Sequence, residues 1–310
     1  MQRIAVVGSI NMDYFIESSV LPKVGETVLG ENFFLSMGGK GANQAVSAAR
    51  LGGKVSLFGS LGDDENSEII AKKLEKENIN LANLQYVKES PTGAAFIELC
   101  QSENRIIVVP GANNDTDVNY VKNIAQELYK HDVIVFQLET PLSMLEYLVP
   151  LLYEQGKTII VNPAPAQLLK PELIEKITYL TPNEHEYQIV FNTNQPMEEL
   201  LKQYPNKLII TCGEEGVRFF DGTDITLVPS MKVTPVDTTG AGDTFSGAFA
   251  VAIAEGMSLQ ESIQFGNIAA GLSVTKKGAQ TGMPYREDVT QFVNKKEYRD
   301  EEKSGHTQAN

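Results

Sequence analysis

Short apolar runs interleaved with stretches of helical spacing constrain the fold of this chain more than any other feature. The runs are Arg3 to Val7, Val55 to Gly59, Asp132 to Phe136, Thr158 to Val161 and Lys207 to Thr211. Helical patterns fall at Gly41 to Leu51, Asn66 to Glu77, Asp117 to Tyr129, Pro141 to Gln155 and Pro196 to Tyr204. Runs with no polar alternation have no face to turn to water, so they predict a three-layer α/β fold with a mostly parallel central sheet and helices on both faces. Ligands of such a sheet collect at the carboxyl ends of its strands. Two segments depart from the rhythm: Tyr14 to Leu35, and Thr92 to Val109 with a turn near Ser102, Glu103 and Asn104. Both are rich in β-formers and lack a helical period. They predict a smaller sheet outside the main layer, an edge extension of the central sheet being the alternative. The polar, aperiodic Lys295 to Asn310 reads as a flexible tail (296–310) after a single domain over residues 1–295.

A chain of 310 residues with 42% apolar content can build one large core. Its formal charge of −14 argues against general binding to nucleic acid or an anionic membrane, so a polyphosphate ligand would need a local positive pocket. Cys100 and Cys212 have no metal spacing and offer no disulfide framework. With neither a signal-like start nor a long uncharged apolar run, the expectation is a soluble, cytoplasmic protein. His131, His185 and His306 leave little material for a zinc hydrolase or a histidine triad.

Two glycine-rich junctions carry the chemistry. Asp237-Thr238-Thr239-Gly240-Ala241-Gly242-Asp243 runs into the small, apolar stretch Thr244 to Ala254, so a glycine turn opens a helix with a carboxylate in its first turn. Such a terminus presents unpaired N–H groups and the positive end of the helix dipole, and can hold a phosphate beside a base. Taken alone, Asp243 is equally an ordinary first-turn acid. Ser36-Met37-Gly38-Gly39-Lys40-Gly41-Ala42-Asn43 opens another helix. Lys40 and Asn43, three residues apart, project from one side of its first turn, where an ammonium and an amide can address one polyhydroxylated or anionic ligand.

With these blocks the chain resembles the PfkB carbohydrate kinases, the ribokinase-like superfamily. The likeness rests on Gly8 to Asp13, Gly38 to Ala45, Gln137-Leu138-Glu139, Asn162 to Ala166, Thr181 to Glu186, Thr211-Cys212-Gly213, Asp237 to Asp243 and Lys277 to Gln280, in family order from residue 4 to about residue 293. It implies transfer of the γ-phosphoryl of ATP to a sugar hydroxyl, with the 5-hydroxyl of D-ribose favoured, Asp243 as base, and the amides of Gly240, Ala241 and Gly242 as the anion hole. The same likeness carries Asn11, Asp13, Gly39, Lys40, Asn43 and Glu139 over as sugar contacts. Locally, Asn11 and Asp13 could instead form a turn after the first strand, and Glu139 could cap the helix beginning near Pro141.

The resemblance further places Asn183, Thr211, Cys212, Gly213, Glu214, Glu215, Gly216, Gly242 and Asn267 around ATP. Glu186 completes an Asn-x-x-Glu pattern associated with Mg2+ and phosphate, the magnesium being held mostly by ATP and water. Glu214 and Glu215 stand where relatives often carry small or basic residues. A potassium ion is implied at Asp237 and at the carbonyls of Thr239, Ser273, Lys276 and Gly278. Gly282 stands where relatives often place a serine, which removes one hydroxyl ligand or leaves its place to water. The smaller sheet, contributed by about 14–35 and 92–109, becomes a lid over the sugar, and lid-to-lid pairing implies a homodimer.

Other classes fit poorly. No Gly-x-Gly-x-x-Gly follows the first strand, and neither Gly39-Lys40 nor Gly53-Lys54 is followed by the Ser or Thr of a P-loop. A sensor that binds sugar without chemistry, and kinases for deoxyribose, a fructose-like sugar or a nucleoside, remain as alternatives. A nucleoside would want stacking from Phe15, Phe33 or Phe96 near the lid.

Overall fold

The computed structural model describes residues 2–101 and 103–294. The first strand, β1 (Arg3–Val7), explains the architecture: Ile4 and Val6 enter one apolar layer while Ala5 and Val7 enter the other. A strand with two buried faces needs no polar alternation.

From β1 the chain continues through β2 (Asn11–Glu17), β3 (Asn32–Gly38), α1 (Lys40–Arg50), β4 (Lys54–Phe58), β5 (Ser60–Gly62), α2 (Glu65–Lys76) and β6 (Gln85–Val87). Next come β7 (Gly93–Cys100), β8 (Glu103–Val109), α3 (Val118–Leu128), β9 (Val133–Phe136), α4 (Leu142–Glu154) and β10 (Thr158–Val161). The last part contains α5 (Pro171–Lys176), β11 (Tyr179–Leu180), α6 (Glu186–Val190), α7 (Met197–Gln203), β12 (Ile209–Thr211), β13 (Gly216–Phe220), β14 (Ile225–Pro229), α8 (Ala241–Ala254), α9 (Leu259–Ser273) and α10 (Ala279–Gly282).

The central sheet has the order β11-β10-β9-β1-β4 with every pair parallel. Because β4 and β9 lie on opposite sides of β1, the chain reverses its direction of travel there, which opens a crevice beyond the carboxyl ends of β1 and β9. Beyond β11, parallel bridges Leu180 to Leu208 and Asn183 to Thr211 lead to β12, which pairs with β13 and β14 as an antiparallel extension. The apolar run at Lys207 to Thr211 therefore starts a mixed edge. The sequence reading lacked β11, β13 and β14: two residues are too few for a pattern, and β14 is largely exposed.

The second sheet has the order β3-β2-β7-β8, with β2 and β7 parallel and the outer pairs antiparallel. It is a separate sheet, so the edge-extension alternative does not hold. Its strands also start earlier and end later than Tyr14 and Leu35: β2 grows out of the loop after β1, and β3 ends at the entry to α1. Asn11 and Asp13 consequently stand in a strand and not in a turn. Ser102, at the expected turn, and the expected tail from Lys295 lie outside the described residues.

Helix α8 is buried around its whole circumference, between α1 and α9. A Cβ on Gly247 would lie 2.6 Å from the Gln44 carbonyl oxygen, so this glycine allows α8 to approach α1 closely, and Ser47 Oγ seals the contact by donating to the Thr244 carbonyl at 2.9 Å. That approach brings the two glycine-rich junctions together. Helix α9, missed in the sequence, did carry a signal: Ser258 and Glu261 form a capping box.

Candidate active site

The floor of the crevice is built on the loop after β1. Ser9 Oγ donates to Glu139 Oε2 at 2.5 Å, the Lys40 N–H donates to the same oxygen at 3.0 Å, and the Gly41 N–H donates to Ser9 Oγ at 3.2 Å. Glu139 thus ties the end of β9 to the entry of α1; it does not cap α4, whose N-cap Pro141 has no side-chain partner. Asn11 Oδ1 accepts from Asn113 Nδ2 at 2.7 Å, and Asn113 Oδ1 accepts the Ile10 N–H at 2.8 Å, so Asn113 orients Asn11.

Two residues along the same face of β2, Asp13 has a buried Oδ1 without a hydrogen-bond partner among the described residues. Burial, reinforced by the charges of Glu139 and Asp243, pushes its carboxyl up to about 7. The Lys40 ammonium is held more strongly protonated than usual, chiefly by Asp243; burial opposes this, and Glu139 and Glu186 add to it. Carboxylates converging around one cation leave room for a ligand rich in hydroxyl donors.

The two helix entries differ in their glycines. Gly39 has φ 84°, and a Cβ there would lie 2.8 Å from the Asn11 nitrogen; a Cβ on Gly41 would lie 2.6 Å from the Gly8 carbonyl carbon. At α8, Gly240 is left-handed with φ 76°, whereas a Cβ on Gly242 would meet nothing within 4 Å. The three amides expected to form the anion hole are not equivalent. The Ala241 N–H closes a turn onto the Thr238 carbonyl at 3.2 Å, leaving those of Gly240, Gly242 and Asp243 without a protein acceptor among the described residues.

Asp243 is 6% exposed and makes no cap to its own helix. Its Oδ2 accepts from Asn43 Nδ2 at 3.0 Å and its Oδ1 from Gln44 Nε2 at 3.0 Å. The carboxylate therefore engages the lysine-containing glycine junction; it lies in the first turn of α8 without capping it. Asn43 in turn accepts at Oδ1 from Gln280 Nε2 at 2.8 Å, so its polar atoms are largely engaged with protein. Sequence reading missed Ser9, Gln44, Asn113, Gln137 and Gln280 as site residues. Gln44 follows Asn43 directly, but a lone amide has no diagnostic spacing.

On the nucleotide side, Asn183 and Glu186 cap each other. Asn183 Oδ1 accepts the N–H groups of His185 and Glu186, each at 2.8 Å, while Glu186 Oε2 accepts the Asn183 N–H at 2.9 Å. The Asn-x-x-Glu pattern first of all shapes this turn, and Asn183 Nδ2 and Glu186 Oε1, without protein partners among the described residues, remain for a ligand. Burial raises the Glu186 pKa, with the Asn183 N–H and Lys40 acting the other way. The Glu184 N–H donates to the Thr211 carbonyl at 3.1 Å, which brings this turn against the Thr211 to Gly216 segment. Burial pushes the Cys212 thiol up to about 11, an inert group. Gly213, Glu214 and Glu215 form a 3-10 turn; Glu215 pairs with Arg218 at 2.9 Å, and the Glu214 carbonyl accepts from Ser230 Oγ. Their carboxylates are thus surface groups. Gly216 closes the turn by accepting the Cys212 N–H at 2.7 Å. Asn267 Nδ2 donates to the Val228 and Pro229 carbonyls at 2.9 and 3.2 Å, tying α9 to β14.

The residues expected around a monovalent cation also meet. Asp237 accepts the Thr239 N–H at 2.9 Å and the Gly278 N–H at 2.8 Å. Partial burial pushes its pKa up, but these hydrogen bonds and the charge of Lys277 outweigh it and the net shift is downward. A Cβ on Gly282 would lie 2.5 Å from the Ser273 carbonyl oxygen and 3.5 Å from that of Lys276. A serine there would push into the Ser273 carbonyl, so Gly282 makes room for it and is more than a missing hydroxyl. Among the described residues no group of three or more His, Cys, Asp or Glu could hold a metal ion, and no helix is long and apolar enough to cross a membrane.

A parallel sheet whose switch-point crevice joins a carboxylate pocket to an anion-ready helix N-terminus defines an α/β kinase of small metabolites. Residues 1–286 match the pfkB family carbohydrate kinases, and the chain belongs to that family of phosphotransferases with an alcohol acceptor. A ribokinase of Bacillus subtilis (strain 168) is 45% identical over 293 residues, covering 94% of this chain and 100% of the relative. Among solved structures, the ribokinase of Thermotoga maritima aligns with TM-score 0.86 at 34% identity, covering 95% of this chain and 100% of that one. The Arabidopsis thaliana ribokinase complexed with ribose and ATP aligns with TM-score 0.83 at 31% identity, covering 94% and 98%.

Proposed function

We propose that the protein transfers the γ-phosphoryl of ATP to the 5-hydroxyl of D-ribose, giving ribose 5-phosphate and ADP. One observation carries the reading: the Asp243 carboxylate, beside unspent N–H groups of α8, is hydrogen-bonded to the first turn of α1 at the mouth of the switch-point crevice. The ribose oxygen forms the new bond to the γ-phosphorus as the bond to the ADP oxygen breaks, and the hydroxyl proton passes to Asp243. The amides of Gly240 and Gly242 receive the travelling phosphoryl charge, and the Lys40 ammonium offsets the surrounding carboxylates. Asn11, Asp13 and Glu139 hold the sugar hydroxyls, with Gly39 giving backbone access. Phe15 and Phe34, stacked with ring centroids 4.7 Å apart, share the face of Asp13, whereas Phe33 and Phe96 lie on the opposite face with Tyr14.

Magnesium would enter with ATP and supply charge neutralisation, and Glu186 Oε1, without a protein partner among the described residues, would be free to reach its hydration shell. For potassium, the fit rests on the cradle of Ser273 and Lys276 carbonyls that Gly282 leaves open. With Asp237 and the carbonyls of Thr239 and Gly278 it would steady the loop before α8. A cytoplasmic location follows from the use of ATP on a free sugar.

The outer face of the second sheet carries Ile16, Phe33, Leu35, Phe96, Ile107 and Val109, all exposed, and a second copy of the chain is the partner that would cover it. Phe33→Glu should shift the particle from dimer to monomer in light scattering at micromolar concentration; a monomer already in the unaltered protein sinks the pairing.

The experiment for the activity is an ATP-dependent phosphorylation screen over ribose, deoxyribose, fructose and adenosine, run in potassium and in a large organic cation. Ribose should be the preferred acceptor and potassium should raise the rate. Binding without ADP release would identify a sensor, and another preferred acceptor would reassign the substrate. Asp243→Asn should keep ribose and ATP binding while turnover falls by about 10²–10⁴-fold; near-normal turnover removes it from the base role.

A further inference from the structure

The Asp243 carboxylate is held by two amide pairs, and one of them is fully enclosed in protein. Gln44 is 0% exposed and Gln137 is 1% exposed, so neither is available to sugar or nucleotide. Gln44 Nε2 donates to Asp243 Oδ1 at 3.0 Å, and Gln44 Oε1 accepts from Gln137 Nε2 at 2.7 Å. The direction of this chain follows from chemistry. An ionised carboxylate only accepts, so the Gln44 nitrogen must face it, its oxygen must face away, and Gln137 must present nitrogen to that oxygen. Gln137 lies just beyond β9, and its Oε1 occupies the space a Cβ on Gly8 would fill, 1.8 Å from that position. That oxygen is buried with no hydrogen-bond donor among the described residues. An apolar side chain of this size would fill the space without leaving an acceptor unmet, so packing alone does not account for the amide.

We infer that Gln44, oriented by Gln137, is a positioning residue for Asp243: it sets the angle at which the carboxylate meets the sugar hydroxyl. The inference rests on the reading of Asp243 as the base. Asn43, itself held by Gln280, donates to the other carboxylate oxygen, so the two arms together fix rotation of the group.

Gln44→Met, Gln44→Glu and Gln137→Met test this. For Gln44→Met, kcat should fall on the order of tenfold to a hundredfold with KM for ribose and ATP changed by no more than about threefold. The acid limb of kcat at saturating ribose should move to higher pH, because a carboxylate that loses a donor is protonated more readily. Gln44→Glu should move it further, since a second carboxylate opposes ionisation of the first. The other charged groups facing Asp243, namely Lys40 on α1, Asp13 on β2, Glu139 after β9 and Glu186 on α6, are the same in all variants. Gln137→Met leaves the direct partner in place and should give a smaller loss of the same kind; it carries the test if Gln44 variants do not fold. An unchanged kcat and acid limb in the methionine variants, alongside an inactive Asp243→Asn, overturns the positioning role and spares the base. Equal losses in ribose binding, thermal stability and kcat with no movement of the acid limb also overturn it. An active Asp243→Asn fails the base reading itself.

Discussion

The two glycine-rich helix entries look alike in sequence and do opposite jobs. At α1, added methyl groups on Gly39 or Gly41 would run into the backbone of residues 8–11, so these glycines let the helix press against the end of β1. At α8, Gly242 faces open space and its N–H is unspent, so the missing side chain leaves room for something outside the protein. The first cluster is closed by packing, whereas Gly242 in the second is left open. A glycine motif therefore has no meaning until its surroundings are known.

If this contrast is right, Gly242→Ala should leave the melting temperature unchanged or slightly raised, since alanine suits a helix better than glycine. Its kcat/KM for ATP should drop by about 10²-fold because the methyl enters the phosphate path; a destabilised protein with normal kinetics would erase the distinction. At the other entry, ribose binding should depend on pH through Asp13. The sugar is best held by the ionised carboxyl, which burial pushes up to about 7, so ribose affinity should be full above that value and weaken by up to about tenfold per unit below it. Calorimetry in buffers of different ionisation enthalpy should show proton release on binding near pH 6.5, and Asp13→Asn should abolish both effects. In the empty protein the sign is that of a raised acid: the folded state holds the proton more tightly than the unfolded chain, so this group's contribution to stability falls as pH rises from about 4 to 7. The mildest change is Gly41→Ala, which should cost about 1–3 kcal/mol in denaturant unfolding while the folded fraction keeps KM for ATP.

Much of this arrangement was legible before any coordinates. The apolar runs became β1, β4, β9 and β10 almost residue for residue, because strands buried on both faces need continuous apolar sequence. Both glycine-to-helix junctions were legible for a similar reason, since left-handed turns and helix starts are decided within a few residues. What the sequence left open was the pairing of polar side chains that have several possible partners. Glu139 reads equally as a cap for α4, yet it bonds to Ser9 and Lys40. Asn183 and Glu186 read as ligand groups, yet they satisfy each other's backbone. Gln44 and Gln137 fall inside blocks that carry the family likeness, yet no spacing pairs them with each other or with Asp243.

Local chemistry thus specified which residues lie inside, where helices begin and which junctions could meet an anion. Packing specified the partners. Asp243 and Asn43 are 200 residues apart in the chain, and they touch because Gly247 lets α8 lie close against α1. Hydrogen bonds reach about 3 Å, so which oxygen faces which amide depends on helix positions that no single segment encodes.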